Sequence, residues 1–383
     1  MEERNVMTTN GNSKKNVVVL QLSGGNDALN TVIPFTDGNY YDNRPYVNIA
    51  QEEVLKMDDK LGLNPNMAPI KSLWDEGEVA VICGVGYPSP NRSHFRSMDV
   101  WHTAESEQVA LEGWLGKALR DLDPKAENVL TGVNFGRGLP RALYAQGVPV
   151  ASVGNLETYG LFPDIKDDAA RNLALEAFSQ MYGGAGKDVI AKFISQTGTD
   201  ALKGADTLRI APQRYSSSVE YGNNPIAQNM KSIAQVMTAD LGTRVFYTQH
   251  GSFDTHASEI NSHAKLWSDV SGAVGDFMDD MKEHGTDKDT VVLLFSEFGR
   301  RIRDNGAGTD HGSGGVAFVI GGDIEGGVYG EFPSLEEDKQ VQGDMAFTND
   351  FRGTYSTILD RWMGLDPVSI TGGNYEQFNF LAK

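Results

Sequence analysis

Seven histidines occur in the 383 residues, and His94, His250, His256, His263 and His311 fall in or just beyond loops that follow short apolar runs. Carboxylates recur in the same places. Ser23-Gly24-Gly25-Asn26-Asp27 follows the run at 17–22, and Asn91-Arg92-Ser93-His94-Phe95-Arg96 lies beyond the run at 79–83. His250 to His256, with Asp254 between them, follows 244–248. Ser296-Glu297-Phe298-Gly299-Arg300-Arg301 follows 291–295, and Gly308-Thr309-Asp310-His311-Gly312 precedes 316–320. Imidazoles mixed with carboxylates suit Zn²⁺, Mn²⁺ or iron, whereas an all-oxygen set would suit Mg²⁺ or Ca²⁺. Taken singly, each residue also has an ordinary role. Asp27 would cap a helix, Ser93 would do the same, Glu297 would pair with Arg300 or Arg301, and His284 suits a helix C-terminus. Their recurrence at the ends of different runs joins Asp27, Asp254, His256, Glu297, Asp310 and His311 into one candidate metal site.

The elements that must position these residues read as a βα alternation. The clearest strands are the runs at 17–22, 79–83, 148–153, 244–248, 291–295 and 316–320, and several are nearly continuous in Val, Ile, Leu and Phe, as strands buried on both faces require. Amphipathic spacing at 226–241 and 260–284 predicts crossover helices, and 350–363 a closing helix. The expected fold is α/β, a doubly wound and mostly parallel sheet sandwiched by helices. In such sheets ligands bind beyond the carboxyl ends of the strands, where the acids and histidines fall. Residues 157–211 hold helical segments at 169–181 and 187–194 and few strand signals. They read either as a helical insertion over the site or as ordinary crossover helices. Residues 1–15 read as a flexible tail, and 16–383 as one domain.

Several functions are excluded. A net charge of −19 opposes binding to nucleic acid or anionic lipid, since both need a basic surface. No apolar run approaches the roughly 20 residues of a membrane-spanning helix. The single cysteine, Cys83, allows neither an internal disulfide nor a thiolate cluster, and sits in an apolar run as a small buried hydrophobe. Gly84-Val85-Gly86 follows a strand, but Pro88 and Pro90 replace the helix start that a dinucleotide fingerprint needs. No Gly-x-Ser-x-Gly elbow is present, which disfavours a serine esterase. A small anionic substrate stays compatible, because a bound divalent ion dominates its local field. No secretory leader is visible, so the chain as written is expected to be cytoplasmic, or exported if a leader has been removed.

Longer motifs carry a resemblance. Val19-Leu20-Gln21-Leu22-Ser23-Gly24-Gly25-Asn26-Asp27, Asn91-Arg92-Ser93-His94-Phe95-Arg96-Ser97-Met98-Asp99-Val100-Trp101-His102-Thr103-Ala104, Phe253-Asp254-Thr255-His256-Ala257 and the two later motifs resemble a bacterial family of uncharacterised sulfatase-like proteins. That family is grouped with the alkaline phosphatase superfamily, and its members often carry a twin-arginine export signal. The similarity runs from about residue 16 to the C-terminus. It implies an alkaline phosphatase or sulfatase-like fold, two adjacent divalent ions and a nucleophile at a helix N-terminus. Asp27 matches the first ligand and Ser93 the nucleophile. Asp254 and His256 resemble a ligand pair, and Asp310-His311 a late histidine motif. Three departures stand out. Phe298 occupies a position where a metal-binding His is expected. Asp254 and His256 lie only two apart, and no cysteine occupies the nucleophile loop, which argues against a formylglycine sulfatase.

The resemblance implies hydrolysis of a small phosphate or sulfate ester, using one or two divalent ions (Zn, Mn, or Ca/Mg). One ion would be held by Asp254, His256 and His311, and a second by Asp27, Glu297 and Asp310. By position, His94 would serve as general acid or base, and Arg92 or Arg96 would fork onto the anion. Asn26 and Arg300 complete the expected substrate contacts. The alternatives are a metal-containing binding protein for sulfated or phosphorylated glycans, without turnover, and a sugar-phosphate mutase.

Overall fold

The computed structural model describes residues 15–381, apart from 158, 160–164, 166 and 184–188. Residues 1–14 of the expected tail lie outside the described residues. Lys15 is already anchored, 3.3 Å from Asp289 and stacked 4.1 Å over the Trp362 ring.

Among the described residues the central sheet has nine strands: β1 (Asn16–Leu22), β2 (Val79–Gly86), β3 (Gly132–Phe135), β4 (Ala151–Val153), β5 (Val245–His250), β6 (Thr290–Phe295), β7 (Gly315–Ile320), β8 (Gly327–Tyr329) and β9 (Asn349–Asp350). They lie in the order β8-β2-β7-β6-β1-β5-β3-β4, with β9 also paired to β2. The central strand β1 runs parallel to β5 on one side and β6 on the other. Its side chains alternate between two cores. Val18, Leu20 and Leu22 join the apolar cluster that contains helices Ala68–Asp75 (α1), Pro225–Thr238 (α2) and Glu259–Glu283 (α3). Val17 and Val19 join the opposite cluster, with His94–Thr103 (α4), Trp114–Leu122 (α5) and Phe351–Thr357 (α6). A strand with helices on both faces has no polar side to show, hence its apolar run from Val17 to Leu22, broken only by the buried Gln21, whose Oε1 lies 2.8 Å from His102 Nε2.

The fold is therefore the expected doubly wound, mostly parallel α/β sandwich, with three local corrections. β7 is antiparallel to β2 and β6. A hairpin, Arg300–Asp304 with Thr309–His311, turns the chain back after β6 with no crossover helix, so the next strand must run the other way. The strand expected at 148–153 contracts to β4, and β3 went unpredicted because four residues containing Gly and Asn carry little strand signal. Within 157–211 the second helix is Val189–Leu208, longer than expected. Its Gly204 lies against Leu130 and Val129, and Leu208 enters the core, which places it at the β3 side of the sheet. No helix of the described residues is long and apolar enough to cross a membrane.

A buried polar knot ties the loop after β1 to that hairpin. Asp27 takes two hydrogen bonds from Arg44, at 2.5 and 2.9 Å, and neither side chain has appreciable exposure. Glu259, in the first turn of α3, accepts from Thr255 Oγ1 at 3.2 Å and from Thr309 Oγ1 at 2.5 Å. Burial, and then the adjacent Asp27 carboxylate, push Glu259 well above the ordinary carboxylate range, so it is protonated at neutral pH. A folded pKa above the ordinary 4.5 means that the native state binds the extra proton. Stability is then full below that value and falls as pH rises toward the folded pKa, by roughly 1.4 kcal/mol per pH unit within the window. Glu259→Gln supplies a permanently neutral group of the same shape. Thermal melts from pH 5 to pH 9 are expected to fall more steeply for the wild type than for the variant, and parallel curves would disprove the protonated state.

Candidate metal centre

The strands β1, β5 and β6 end at one edge of the sheet, and their loops are drawn together there by close backbone approach. Gly24 and Gly25 both have positive φ, at 124° and 75°. A Cβ at Gly24 would stand 2.4 Å from the Asp254 nitrogen, and one at Gly25 would stand 2.3 Å from the Phe298 ring. Arg300, 1% exposed, bonds the same loops into one body. Its guanidinium donates to the carbonyls of Gly25, Gly24, Phe253 and Thr309, and to Asp254 Oδ1 at 2.6 Å.

On this frame three imidazoles bring their Nε2 atoms together. His311 Nε2 lies 3.1 Å from His94 Nε2, 3.0 Å from His256 Nε2 and 3.0 Å from Asp254 Oδ1. Asp254 Oδ1 is 3.1 Å from His256 Nε2, and its other oxygen is 3.5 Å from His94 Nε2. His94, Asp254 and His311 form the compact group, with ligand atoms all within 4.8 Å of one another. His256 approaches the group at His311 and Asp254.

The opposite ring nitrogens decide what the cluster is suited to. His94 Nδ1 faces Glu297 Oε1 at 2.8 Å, His256 Nδ1 faces Asp310 Oδ1 at 3.0 Å, and His311 Nδ1 faces the Arg92 carbonyl at 2.9 Å. All three partners are acceptors, so each neutral ring carries its proton on Nδ1 and leaves Nε2 with a bare lone pair. Three lone pairs and a carboxylate then face one another across about 3 Å. That arrangement repels itself unless a cation sits among the atoms. Ligands bonded to Zn²⁺ at about 2.0–2.1 Å in a tetrahedron lie about 3.3 Å apart, close to these spacings. Acceptors fixing the far nitrogen of each His are the usual support for metal-binding imidazoles. The donor set thus fits a divalent transition metal.

The local electrostatics agree. Burial alone would raise the Asp254 pKa, but the hydrogen bond and the charge of the Arg300 guanidinium hold it below the ordinary carboxylate value. The Glu297 hydrogen bond raises the His94 pKa against the effect of burial. The Asp254 side chain remains 45% exposed and that of His256 44%, so the cluster opens to solvent on one side.

The structure brings His94, Asp254, His256 and His311 together. Glu297 and Asp310, expected as ligands, stand one imidazole ring further back, as Nδ1 partners of His94 and His256. Asp27 is turned away, with both oxygens committed to Arg44. Four expected substrate contacts are likewise engaged elsewhere. Asn26 is buried, with its Oδ1 toward Thr31 and His263. Arg92 pairs with Asp344 at 2.7 Å, Arg96 donates to the carbonyls of Ser106 and Gln108, and Arg300 is consumed by the loop carbonyls. Acceptors elsewhere in the fold hold all three guanidinium groups, although Arg96 Nη1 is buried without a hydrogen-bond partner. Ser93 is the exposed N-cap of α4, directly before His94, and its hydroxyl makes no capping bond. His94 itself has both ring nitrogens engaged, one with Glu297 and one in the cluster, which removes it as a free acid or base. Its place in the cluster was missed, although its position beyond β2 was the available signal. Arg44 gave no signal at all.

Fold and site together define a doubly wound α/β protein with a histidine–carboxylate cluster at the carboxyl edge of its sheet. The chain belongs to the family described as a protein of unknown function, DUF1501, whose model matches residues 14–372. No curated protein matches the chain. Solved structures similar to it include the lipoteichoic acid synthase LtaP from Listeria monocytogenes, 10% identical, with a TM-score of 0.39 over 88% of this chain and 74% of that one. A protein in the alkaline phosphatase superfamily from Vibrio parahaemolyticus is 11% identical, with a TM-score of 0.37 over 84% of this chain and 63% of that one. Alkaline phosphatase from the Antarctic bacterium TAB5 is 13% identical, with a TM-score of 0.37 over 81% and 92%. At such scores these similarities carry no activity over to this chain.

Removing a cluster ligand should empty the centre, and removing an Nδ1 partner should only loosen it. His311→Ala and Asp254→Ala are expected to retain no stoichiometric Zn²⁺ or Mn²⁺ by elemental analysis. Glu297→Gln and Asp310→Asn are expected to weaken affinity by about 10–100-fold in chelator competition. Full metal content in both alanine variants would dismantle the assignment.

Proposed function

We propose that the chain is a metal-dependent hydrolase of small phosphate or sulfate esters. The observation that carries this is the convergence of three bare Nε2 atoms on Asp254, open to solvent and beside an exposed serine at a helix N-terminus. A divalent ion, Zn²⁺ or Mn²⁺ before Ca²⁺ or Mg²⁺, would be held by His94, Asp254 and His311 with His256 beside them, and would supply charge neutralisation and an acidified hydroxyl or water.

The chain's own residues then have separable tasks. Ser93 offers an exposed hydroxyl, with no cap bond to break, as the nucleophile. The first turn of α4 presents unpaired backbone N–H groups and the positive end of the helix dipole, which favour the anionic oxygens of an ester. Glu297 holds the His94 ring in place and is itself fixed by the Gly24 nitrogen at 2.9 Å and the Ser296 hydroxyl at 3.0 Å. The buried Phe298 ring packs 4.9 Å from His94 and 5.0 Å from His311, and keeps water off that side of both imidazoles. The acidic surface suits neither nucleic acid nor anionic lipid, which leaves a small ester as the partner.

One observation favours a second reading. Arg92 is paired with Asp344, Arg96 donates to the Ser106 and Gln108 carbonyls, and all three nitrogens of the Arg300 guanidinium are taken up by the loops, so the expected anion grip is weakened. A binding protein for sulfated or phosphorylated glycans, holding metal without turnover, would tolerate that. The two readings separate on p-nitrophenyl phosphate, its diester and its sulfate, each assayed with Zn²⁺, Mn²⁺ and Ca²⁺. The hydrolase reading expects turnover of at least one ester, and a Ser93→Ala rate at least about 100-fold lower with unchanged metal content. A metal-loaded wild type silent on the whole panel would favour the binder.

A further inference from the structure

We infer that Arg44 is a built-in cation that takes the place of a metal ion at Asp27, confining metal to the histidine cluster. The inference rests on the metal reading of that cluster and concerns the second position that the resemblance implies.

Asp27 closes the loop after β1, the place of a first metal ligand, and oxygen and nitrogen donors surround it. Glu259 and His263 approach its carboxylate, and Asn26 is the preceding residue. A divalent ion would find plausible donors there. The Arg44 guanidinium fills the position instead, with both Asp27 oxygens engaged and side-chain exposures of 0% for Arg44 and 1% for Asp27. A guanidinium stays charged and offers no lone pair to a metal. Its two donors cover both Asp27 oxygens, whereas Arg300 reaches only Oδ1 of Asp254. The charge is already balanced. Arg44 neutralises Asp27, and Glu259 carries its own proton.

Arg44 also performs the mechanical part of a bridging ion. Its Nε donates to the Ile302 carbonyl and its Nη2 to the Arg301 carbonyl, both at 2.9 Å. Glu259 takes the Thr309 hydroxyl, next to Asp310 and His311. The loop after β1 is thereby joined to the hairpin that bears His311 by hydrogen bonds rather than coordination. The knot is sealed from solvent while the cluster is open, so an ion exchanging with solution has access to one place and not the other.

Crystals of the full chain soaked in Zn²⁺ or Mn²⁺ test this by anomalous scattering at the metal edge. Peaks are expected among His94, Asp254, His256 and His311, with none in contact with Asp27. A peak on Asp27 would overturn the inference and leave the metal reading of the cluster intact. No peak anywhere would overturn both. In solution, the variant Asp27→Asn with Arg44→Met removes both buried charges together and avoids leaving either unpaired. It is expected to bind as much Zn²⁺ as the wild type, whereas His311→Ala loses it. Loss of metal by a double variant with native circular dichroism would count against Arg44. If that variant does not fold, the wild-type diffraction result decides alone.

Discussion

The carboxyl edge of the sheet depends on one guanidinium. Arg300 donates to carbonyls on the loops after β1 and β5 and on the hairpin after β6, and then to the Asp254 carboxylate. Loops that meet at a sheet edge bring backbone carbonyls with no ladder partner, and burying each one unpaired would cost about 1–3 kcal/mol. Arg suits the task because its planar fork reaches several acceptors at once and never loses its charge. The same residue that satisfies the carbonyls thus fixes an ionised Asp254 at the cluster. Stability of the edge and geometry of the centre are one problem with one solution.

Two buried arginines divide the edge into parts of different chemistry. Arg44 and Asp27 form a closed, neutral knot, and the buried Arg300 holds the half-exposed Asp254. At Asp254 lies the cluster, where lone pairs converge without a proton to share. A chain of net charge −19 has no shortage of carboxylates, so the selective step is to deny most of them to a metal. Asp27 is denied by Arg44, and Glu259 by its proton. Glu297 and Asp310 are spent on orienting imidazoles. Among the described residues only Asp254 faces the Nε2 atoms, which leaves a nitrogen-rich donor set of the kind that suits transition metals over Ca²⁺ or Mg²⁺.

The fold was legible because it is written in a single signal. β1, β5, β6 and β7 are buried on both faces, and that forces runs such as Val17 to Leu22 that no loop would carry. Asp254 and His311 were legible by extension, as polar residues just beyond such runs. The arginines were not. A sequence announces a positive charge but not the acceptor that will claim it, and Arg92 meets Asp344, Arg96 meets Ser106, and Arg44 meets Asp27 only through the tertiary fold. Asp27 was misjudged for the same reason, since its fate depends on Arg44. The direction of β7 was hidden in the hairpin before it, whose strands are too short and too charged to stand out.

Phe298 takes on a different meaning from this geometry. Where an imidazole was expected, a phenyl ring would by itself remove a ligand and open a gap. Instead the ring is buried against His94 and His311, and His94 turns its Nε2 into the cluster from the start of α4. The imidazole missing from the loop after β6 is supplied from the helix after β2, and Phe298 is the surface on which it rests. Gly25 has no side chain because that ring occupies the space a Cβ would need. Glu297, the residue before Phe298, then accepts the hydrogen bond from His94 Nδ1. Gly25, Glu297 and Phe298 together fix the position of the His94 ring.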